Sequence, residues 1–378
     1  MMLINKTTFP VNKGAFNMLE FGEKEINVSV TMQDLVLSRK FPGVVPMHYM
    51  IDYDKSDLTV LVSNTIKSLK EYDCYDYTNM RTVRAGSSHV IDKKDGSVII
   101  KKNHSILPAH IQTSQDFFLN FIKNSFYKKL SLNEVTASML SGGIDSVIST
   151  YLAKSFNSDI VAYTFLVEGQ ESENSDLKHA INAAKILDVP LQIVQVSGDE
   201  ILECIDDIIY ITEDTKDYNI YSATGAYFLL KKVREDGHKF VVCGEGPDEI
   251  FGTYDSWGSH QLSSQKASQP EYRCKFVNNL DWNLSRGTKV ANYLGVDLFS
   301  PFLNSEFINL AVNIPSEVVH QYGHRKGILA KAFEDVLPLD LLLRPKVRFQ
   351  DGSGVTPILR KAGVDNAYIK RVYDLKFK

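Results

Sequence analysis

Between residues 115 and 244 the chain alternates helix-like and strand-like segments without a break, and few folds accept that rhythm. FFLNFIKNSFYKKL (117–130), SVISTYLAKSF (146–156), SDLKHAINAAKILDV (175–189) and ATGAYFLLKKVREDG (223–237) place apolar residues at helical spacing. Between them EVTASML, DIVAYTFLV, LQIVQVS and KFVVCG are short, apolar and rich in β-branched residues, as buried strands are. A βαβα succession predicts an α/β fold, with an open parallel sheet wrapped by helices and ligands beyond the carboxyl ends of its strands. Residues 1–110 differ. INVSV, MHYMI, DLTVLVS and GSVII are strands separated by Gly, Asp and Pro, with one helix expected at 65–72. After about residue 260 the pattern is mainly helical. The expected division is a small β-rich domain over 1–110 and an α/β domain over 115–378.

The glycine turn SGGIDS (141–146) lies between one such strand and the following helix. A strand, a tight turn and a helix start together aim backbone N–H groups and the positive helix end at one point, which suits an anion. Ser141 and Ser146 add hydroxyl donors. GxxxxGK[ST] and GxGxxG are both absent. After the last strand, VVCGEGPDEIFGTY (241–254) puts Glu245, Asp248 and Glu249 among glycines, and Asp145 should reach the same rim. Carboxylates gathered beside an anion site repel it, and a divalent cation removes the conflict. Mg²⁺ takes one or two carboxylates together with phosphate oxygens and water. The opposite charge comes from YGHRKGIL (322–329), with Arg325 and Lys326, and from RPKVRFQDGSG (344–354), with Arg344, Lys346 and Arg348. Pro345 restricts Arg344 to extended backbone, and Gly352 and Gly354 suggest a loop able to close.

Composition excludes other classes. With 44% hydrophobic and 23% charged residues in 378, the chain is an ordinary globular protein with a sizeable core. A net charge of −4 supplies no field for nucleic acid or an anionic membrane. No run reaches the ~18 apolar residues of a membrane span, and MMLINKTTFPVNKGAF has no signal-peptide core. The four cysteines, Cys74, Cys204, Cys243 and Cys274, form no CxxC, which argues against zinc and disulfides and fits a reducing cytoplasm.

SGGIDS matches the SGGxDS signature of the PP-loop ATP pyrophosphatases, and the rest resembles the synthetase domain of the asparagine synthetase B family. GEGPDEIFGTY resembles that family's GEGxDExFGGY, LFSPFLN (298–304) its ExRxPFLD, RKGILAKAF (325–333) its KxxLRxAF, and RPKVRFQDGSG its RxKxxFxxGxG. The similarity runs over about residues 115–360 in the family's order. Thr253 stands where the family has a second glycine, Phe299 where it has Arg, and Asn304 where it has Asp. In the N-terminal third, LTVLVSNTIKSLKEY (58–72) resembles the family's LYFASEIKALL and TVRAGSSHVIDKKDG (82–96) its PPGHYLDLxTG. Position 2 is Met where glutaminase-active members have Cys, so residues 1–110 are expected to be a shortened, inactive glutaminase remnant.

The resemblance implies that a substrate carboxylate attacks the α-phosphate of ATP, and that ammonia or an amine then takes the acyl group from AMP. It implies nucleotide contacts from Leu140, Ser141, Gly142, Gly143, Asp145, Ser146, Val167, Cys243 and Gly244. It further implies Mg²⁺ on Asp145 and Asp248, charge stabilisation by Lys326 and Lys346, and Glu245 as general base. Two alternatives stay open: an intramolecular lactam synthetase or peptide cyclase, and an inactive binding protein of the same fold. The small-molecule or peptide substrate is not named, and a homodimer is left open.

Overall fold

The computed structural model describes residues 2–5, 26–54, 57–73, 75–109, 111–130, 134–169, 176–253, 256–257, 260–261, 269–345 and 347–378. The N-terminal third forms two antiparallel sheets. One joins β1 (Met2–Asn5), β5 (Asp57–Ser63), β4 (His48–Asp54) and β6 (Arg81–Thr82) in that order; the other joins β2 (Ile26–Val30), β3 (Asp34–Arg39), β7 (Ser87–Asp92) and β8 (Val98–Lys102). Strict alternation in β3 buries Leu35 and Leu37, and with Ile91 they meet Tyr49, Val60 and Val62 of the facing sheet. Period-two burial on two sheets makes a sandwich. The short helix α1 (Ile66–Lys70) follows β5 within the expected 65–72.

The remainder is built on the expected parallel sheet. After α2 (Gln115–Leu130) come β9 (Ala137–Met139), α3 (Ile144–Phe156), β10 (Val161–Val167), α4 (Asp176–Leu187) and β11 (Leu191–Val196). Residues 198–212 carry no expected element, yet they fold as α5 (Gly198–Thr212), begun by a capping box between Ser197 and Glu200. Then follow α6 (Asp217–Glu235), β12 (Phe240–Val242), α7 (Pro247–Phe251), the small hairpin of β13 (Ser256–Trp257) and β14 (His260–Gln261), α8 (Pro270–Val277), α9 (Leu280–Leu294) and β15 (Asp297–Phe299). The remaining helices, from Ser305–Ala311 to Asn366–Phe377, cover the C-terminal flank. Among the described residues no helix is long and apolar enough to cross a membrane.

The sheet order is β11-β10-β9-β12-β15, and every neighbouring pair is parallel. The chain walks outward from β9 to β11, then returns to the other side of β9 for β12 and β15. The direction therefore reverses between β9 and β12, which opens a crevice at their carboxyl ends. Alternate residues feed cores on both faces: Tyr163 and Val241 pack under α5 and α6, while Ala162 and Val242 pack under α2 and α3.

The sandwich grips this second unit mainly through α9. Asp281, at its start, is held by Arg39 at 3.4 Å and Arg84 at 3.2 Å. Lys289, two turns on, pairs with Glu213 at 3.4 Å and donates to the Thr212 carbonyl at 2.8 Å. The Lys67 amide of α1 donates to the same Glu213 carboxylate at 2.9 Å.

Phe126 lies wholly buried where α2 meets the C-terminal helices, with ring centroids 4.7 Å from both Phe302 and Phe307. Phe126→Ala should cost about 3–5 kcal/mol through lost burial and the cavity left behind, measured as a lower guanidinium midpoint. A midpoint within error of the parent would show that this cluster does not hold the helices to the sheet.

Candidate active site

The turn after β9 is shaped by two different glycine requirements. Gly142 has φ +76°, and a Cβ there would lie 2.4 Å from the backbone of His179 in α4, so both conformation and packing demand glycine. Gly143 is the N-cap of α3 without a side-chain cap, and a Cβ on it would meet only the Ser141 hydroxyl, at 3.6 Å. Space in front of it is open. Ser146 braces the loop from inside: its hydroxyl donates to the Gly143 carbonyl at 2.9 Å and accepts from the Ser141 amide at 3.2 Å.

The turn after β12 packs directly against this loop. A Cβ on Gly244 would sit 2.7 Å from the Asp145 carbonyl carbon and the Ser146 amide nitrogen, so only glycine lets the two backbones approach. Buried Ser149 binds the turns together, reaching the carbonyls of Asp145 at 2.8 Å and Cys243 at 3.1 Å. Leu140, Val167 and Cys243, expected along the nucleotide, are buried, at 1%, 0% and 4% exposure. Burial pushes the Cys243 thiol up, and the neighbouring Glu245 adds to that.

Lys326 joins the two carboxylates. It caps the helix Gly327–Phe333, is 1% exposed, and contacts Asp145 Oδ2 and, at 2.7 Å, Asp248 Oδ1. Burial by itself depresses the ammonium, but the charges of Asp145 and Asp248 outweigh it and hold Lys326 above the ordinary lysine range. Gly327 fixes this position, since a Cβ there would overlap the Gln321 carbonyl at 1.9 Å. Thr253 donates to Asp248 Oδ1 at 2.5 Å, and its carbonyl accepts from Arg325 at 2.6 Å. The threonine thus tightens the acidic turn. Phe299 packs in the core and Asn304 caps the helix Ser305–Ala311, so both serve structure in their observed contacts.

Glu245 lies at the mouth of the second turn, half-buried. Its carbonyl accepts from Ser300 at 2.6 Å, and its carboxylate sits 3.7 Å from Arg286 of α9. Burial raises the Glu245 pKa and Arg286 partly offsets it. Gly287 leaves room: a Cβ there would lie 3.2 Å from Glu245 Oε2. Arg286 and Gly287 escaped the sequence reading because an arginine on a helix resembles a solvated charge.

The C-terminal segment closes the other side. Buried Arg344 pairs with Asp176 at 2.6 Å and donates to the Ser141 carbonyl at 2.9 Å, while the Val167 amide donates to the Ser353 carbonyl at 2.9 Å. Within the expected loop 344–354, Phe349–Gly352 forms a short helix, and Gly354 at φ +87° precedes a second helix, Val355–Lys361. Arg348 is exposed and pairs with Asp351. Lys346 lies outside the described residues. Among the described residues no three His, Cys, Asp or Glu side chains gather as a metal cluster, so the Asp145–Asp248 pair is the convergence available to a cation.

Lys326→Met would leave two part-buried carboxylates, 16% and 24% exposed, facing each other without their cation, costing about 1–3 kcal/mol at neutral pH. Lys326 is raised relative to the unfolded chain, so its contribution is complete below about pH 10 and is lost as pH climbs past the folded value. The variant's deficit should shrink in mild acid as its carboxylates take up protons. Urea midpoints between pH 5 and 8 check this; a deficit that grows towards pH 5 would contradict the ion triad.

The asparagine synthase family model matches residues 121–291 and 274–367, the stretch that builds the sheet, both turns and the Arg344 segment. Nodule asparagine synthetase [glutamine-hydrolyzing] of Pisum sativum is 30% identical over 67% of this chain and 45% of its own length. Asparagine synthetase B [glutamine-hydrolyzing] of Escherichia coli (strain K12) is 26% identical over 84% of this chain and 58% of its own. Asparagine synthetase [glutamine-hydrolyzing] of Zea mays is 26% identical over 89% and 60%. The chain spans about half the length of the curated relatives it matches. With that match laid over the crevice between β9 and β12, the chain belongs to the asparagine synthase family.

Proposed function

We propose that this chain is an ATP-dependent amide ligase that forms AMP and pyrophosphate and passes an activated carboxylate to ammonia or an amine. The observation that carries this is the junction of two turns at one switch point. An open glycine turn suited to phosphates abuts a carboxylate turn, and Lys326 ties Asp145 to Asp248 across them. A substrate carboxylate oxygen attacks the α-phosphorus, the bond to the bridging oxygen breaks, and pyrophosphate leaves. Gly142, Gly143, Ser141 and Ser146 cradle the departing phosphates, with backbone N–H groups acting where negative charge develops. Lys346, two residues after Arg344 in the chain, is proposed as a further positive charge for the departing pyrophosphate.

The donor set fits Mg²⁺. Two converging carboxylates are what that ion takes from protein when phosphates and water supply the rest, and Asp145 and Asp248 converge at Lys326. Asp145 and Asp248 would hold it, and when bound it would neutralise phosphate charge.

In the second half-reaction the amine attacks the acyl carbon and AMP leaves. A protonated amine has no lone pair, so a base must take its proton, and Glu245 is the base proposed here. Burial raises its pKa above the ordinary glutamate range, and the Arg286 charge partly offsets that by favouring the ionised form. Nitrogen is taken as free ammonia or amine.

The test separates the halves. With carboxylates screened by pyrophosphate release and ammonium as nucleophile, Glu245→Gln should retain substrate-dependent exchange of labelled pyrophosphate into ATP while amide falls by ~10²–10⁴. Glutamine in place of ammonium should give no product. Equal loss of exchange and amide would move Glu245 into the nucleotide site, and loss of neither would place the base elsewhere.

A further inference from the structure

Arg286 approaches Glu245 but does not close on it. Its Nη2 stands 3.7 Å from Glu245 Oε1, outside hydrogen-bond reach, while its Nη1 donates to Asn219 Oδ1 at 3.2 Å. Asn219 is itself fixed. It is 1% exposed on α6, and its amide donates to Asp214 Oδ2 at 2.8 Å. The relay Asp214–Asn219–Arg286 therefore pulls the guanidinium back from the carboxylate. Gly287 borders the same carboxylate: a Cβ there would lie 3.2 Å from Glu245 Oε2 and 3.2 Å from the Leu298 side chain.

That spacing matters for a base. A close, two-pronged arginine pair fills the lone pairs of a carboxylate and makes it reluctant to accept a proton. A half-buried carboxylate with no cation nearby is reluctant to lose one. A positive charge held at a stand-off avoids both.

We propose that Arg286 is a positioning residue for amide formation: Asp214 and Asn219 hold its charge at a fixed distance from Glu245, which keeps that carboxylate ionised and its oxygens open to an incoming amine. The inference rests on the assignment of Glu245 as the base. The titratable and charged groups facing this pair are Arg286 itself from α9, the Cys243 thiol from the end of β12, and Asp214, Asp217 and Tyr218 around Arg286 from the start of α6. Ser300 adds a neutral hydroxyl at the Glu245 backbone.

A direct titration tests this without turnover. In the full chain labelled with ¹³C at the glutamate side-chain carboxyl, the Glu245 resonance is the one lost in Glu245→Gln. Arg286→Gln should move its midpoint up by about one pH unit or more, the usual effect of losing an opposite charge. Arg286→Lys should restore most of that shift. Asn219→Ala frees the guanidinium to close on the carboxylate, so its midpoint should fall below the parent. A midpoint unmoved in Arg286→Gln, or raised in Asn219→Ala, would overturn the stand-off. In parallel, with the carboxylate found by pyrophosphate release and ammonium as nucleophile, the ratio of amide formed to pyrophosphate exchanged should drop about tenfold in Arg286→Gln at pH 7 and recover at higher pH. An unchanged ratio at pH 7 would also overturn it. If the titrations behave as expected while Glu245→Gln still forms amide, the base assignment fails and the electrostatic relay stands.

Discussion

One buried ammonium sets the geometry of the whole crevice. Lys326 arrives from a helix late in the chain and lands between carboxylates that follow two different strands, Asp145 after β9 and Asp248 after β12. Neither carboxylate is near the other in sequence, and without a cation their approach would be repulsive. The lysine converts that repulsion into a clamp. Close backbone approaches adjoin the clamp at two of its parts: Gly244 against Asp145, and Gly327, next to Lys326, against Gln321. Each is a place where a side chain would force the turns apart.

Much of this was legible in the sequence because the signals are local. The alternation of helices and apolar strands names a parallel sheet, and glycines flanking a serine or an acid name turns at strand ends. The helix at 198–212 carried its own signature, Ser197 three residues before Glu200, yet its isoleucine-rich face blends with the strand before it. Partnerships over long separations were not legible. Arg344 finds Asp176 across 168 residues, and Arg286 finds Asn219 across 67. Nothing in either neighbourhood distinguishes such an arginine from one in solvent. That Lys326 joins Asp145 to Asp248 is likewise visible only in three dimensions.

The departures from the family pattern acquire physical reasons. Thr253 replaces backbone freedom with a hydroxyl on Asp248, Phe299 fills core, and Asn304 caps a helix. The N-terminal sandwich also has a structural task. Through Arg39 and Arg84 on Asp281, and through Lys67 and Lys289 on Glu213, it seats the helix that carries Arg286 and Gly287 beside Glu245. A domain can thus bear on chemistry by fixing a helix, whatever else it does.

The central proposal is that the crevice activates a carboxylate by transferring the adenylyl group of ATP to it, with pyrophosphate as the leaving group. The most direct measurement is ³¹P NMR of ATP incubated with the chain, Mg²⁺, ammonium and a panel of amino-acid and peptide carboxylates. The account predicts AMP and pyrophosphate in equal amounts, formed only when the right carboxylate is present. ADP and phosphate, or cleavage indifferent to the carboxylate, would contradict it.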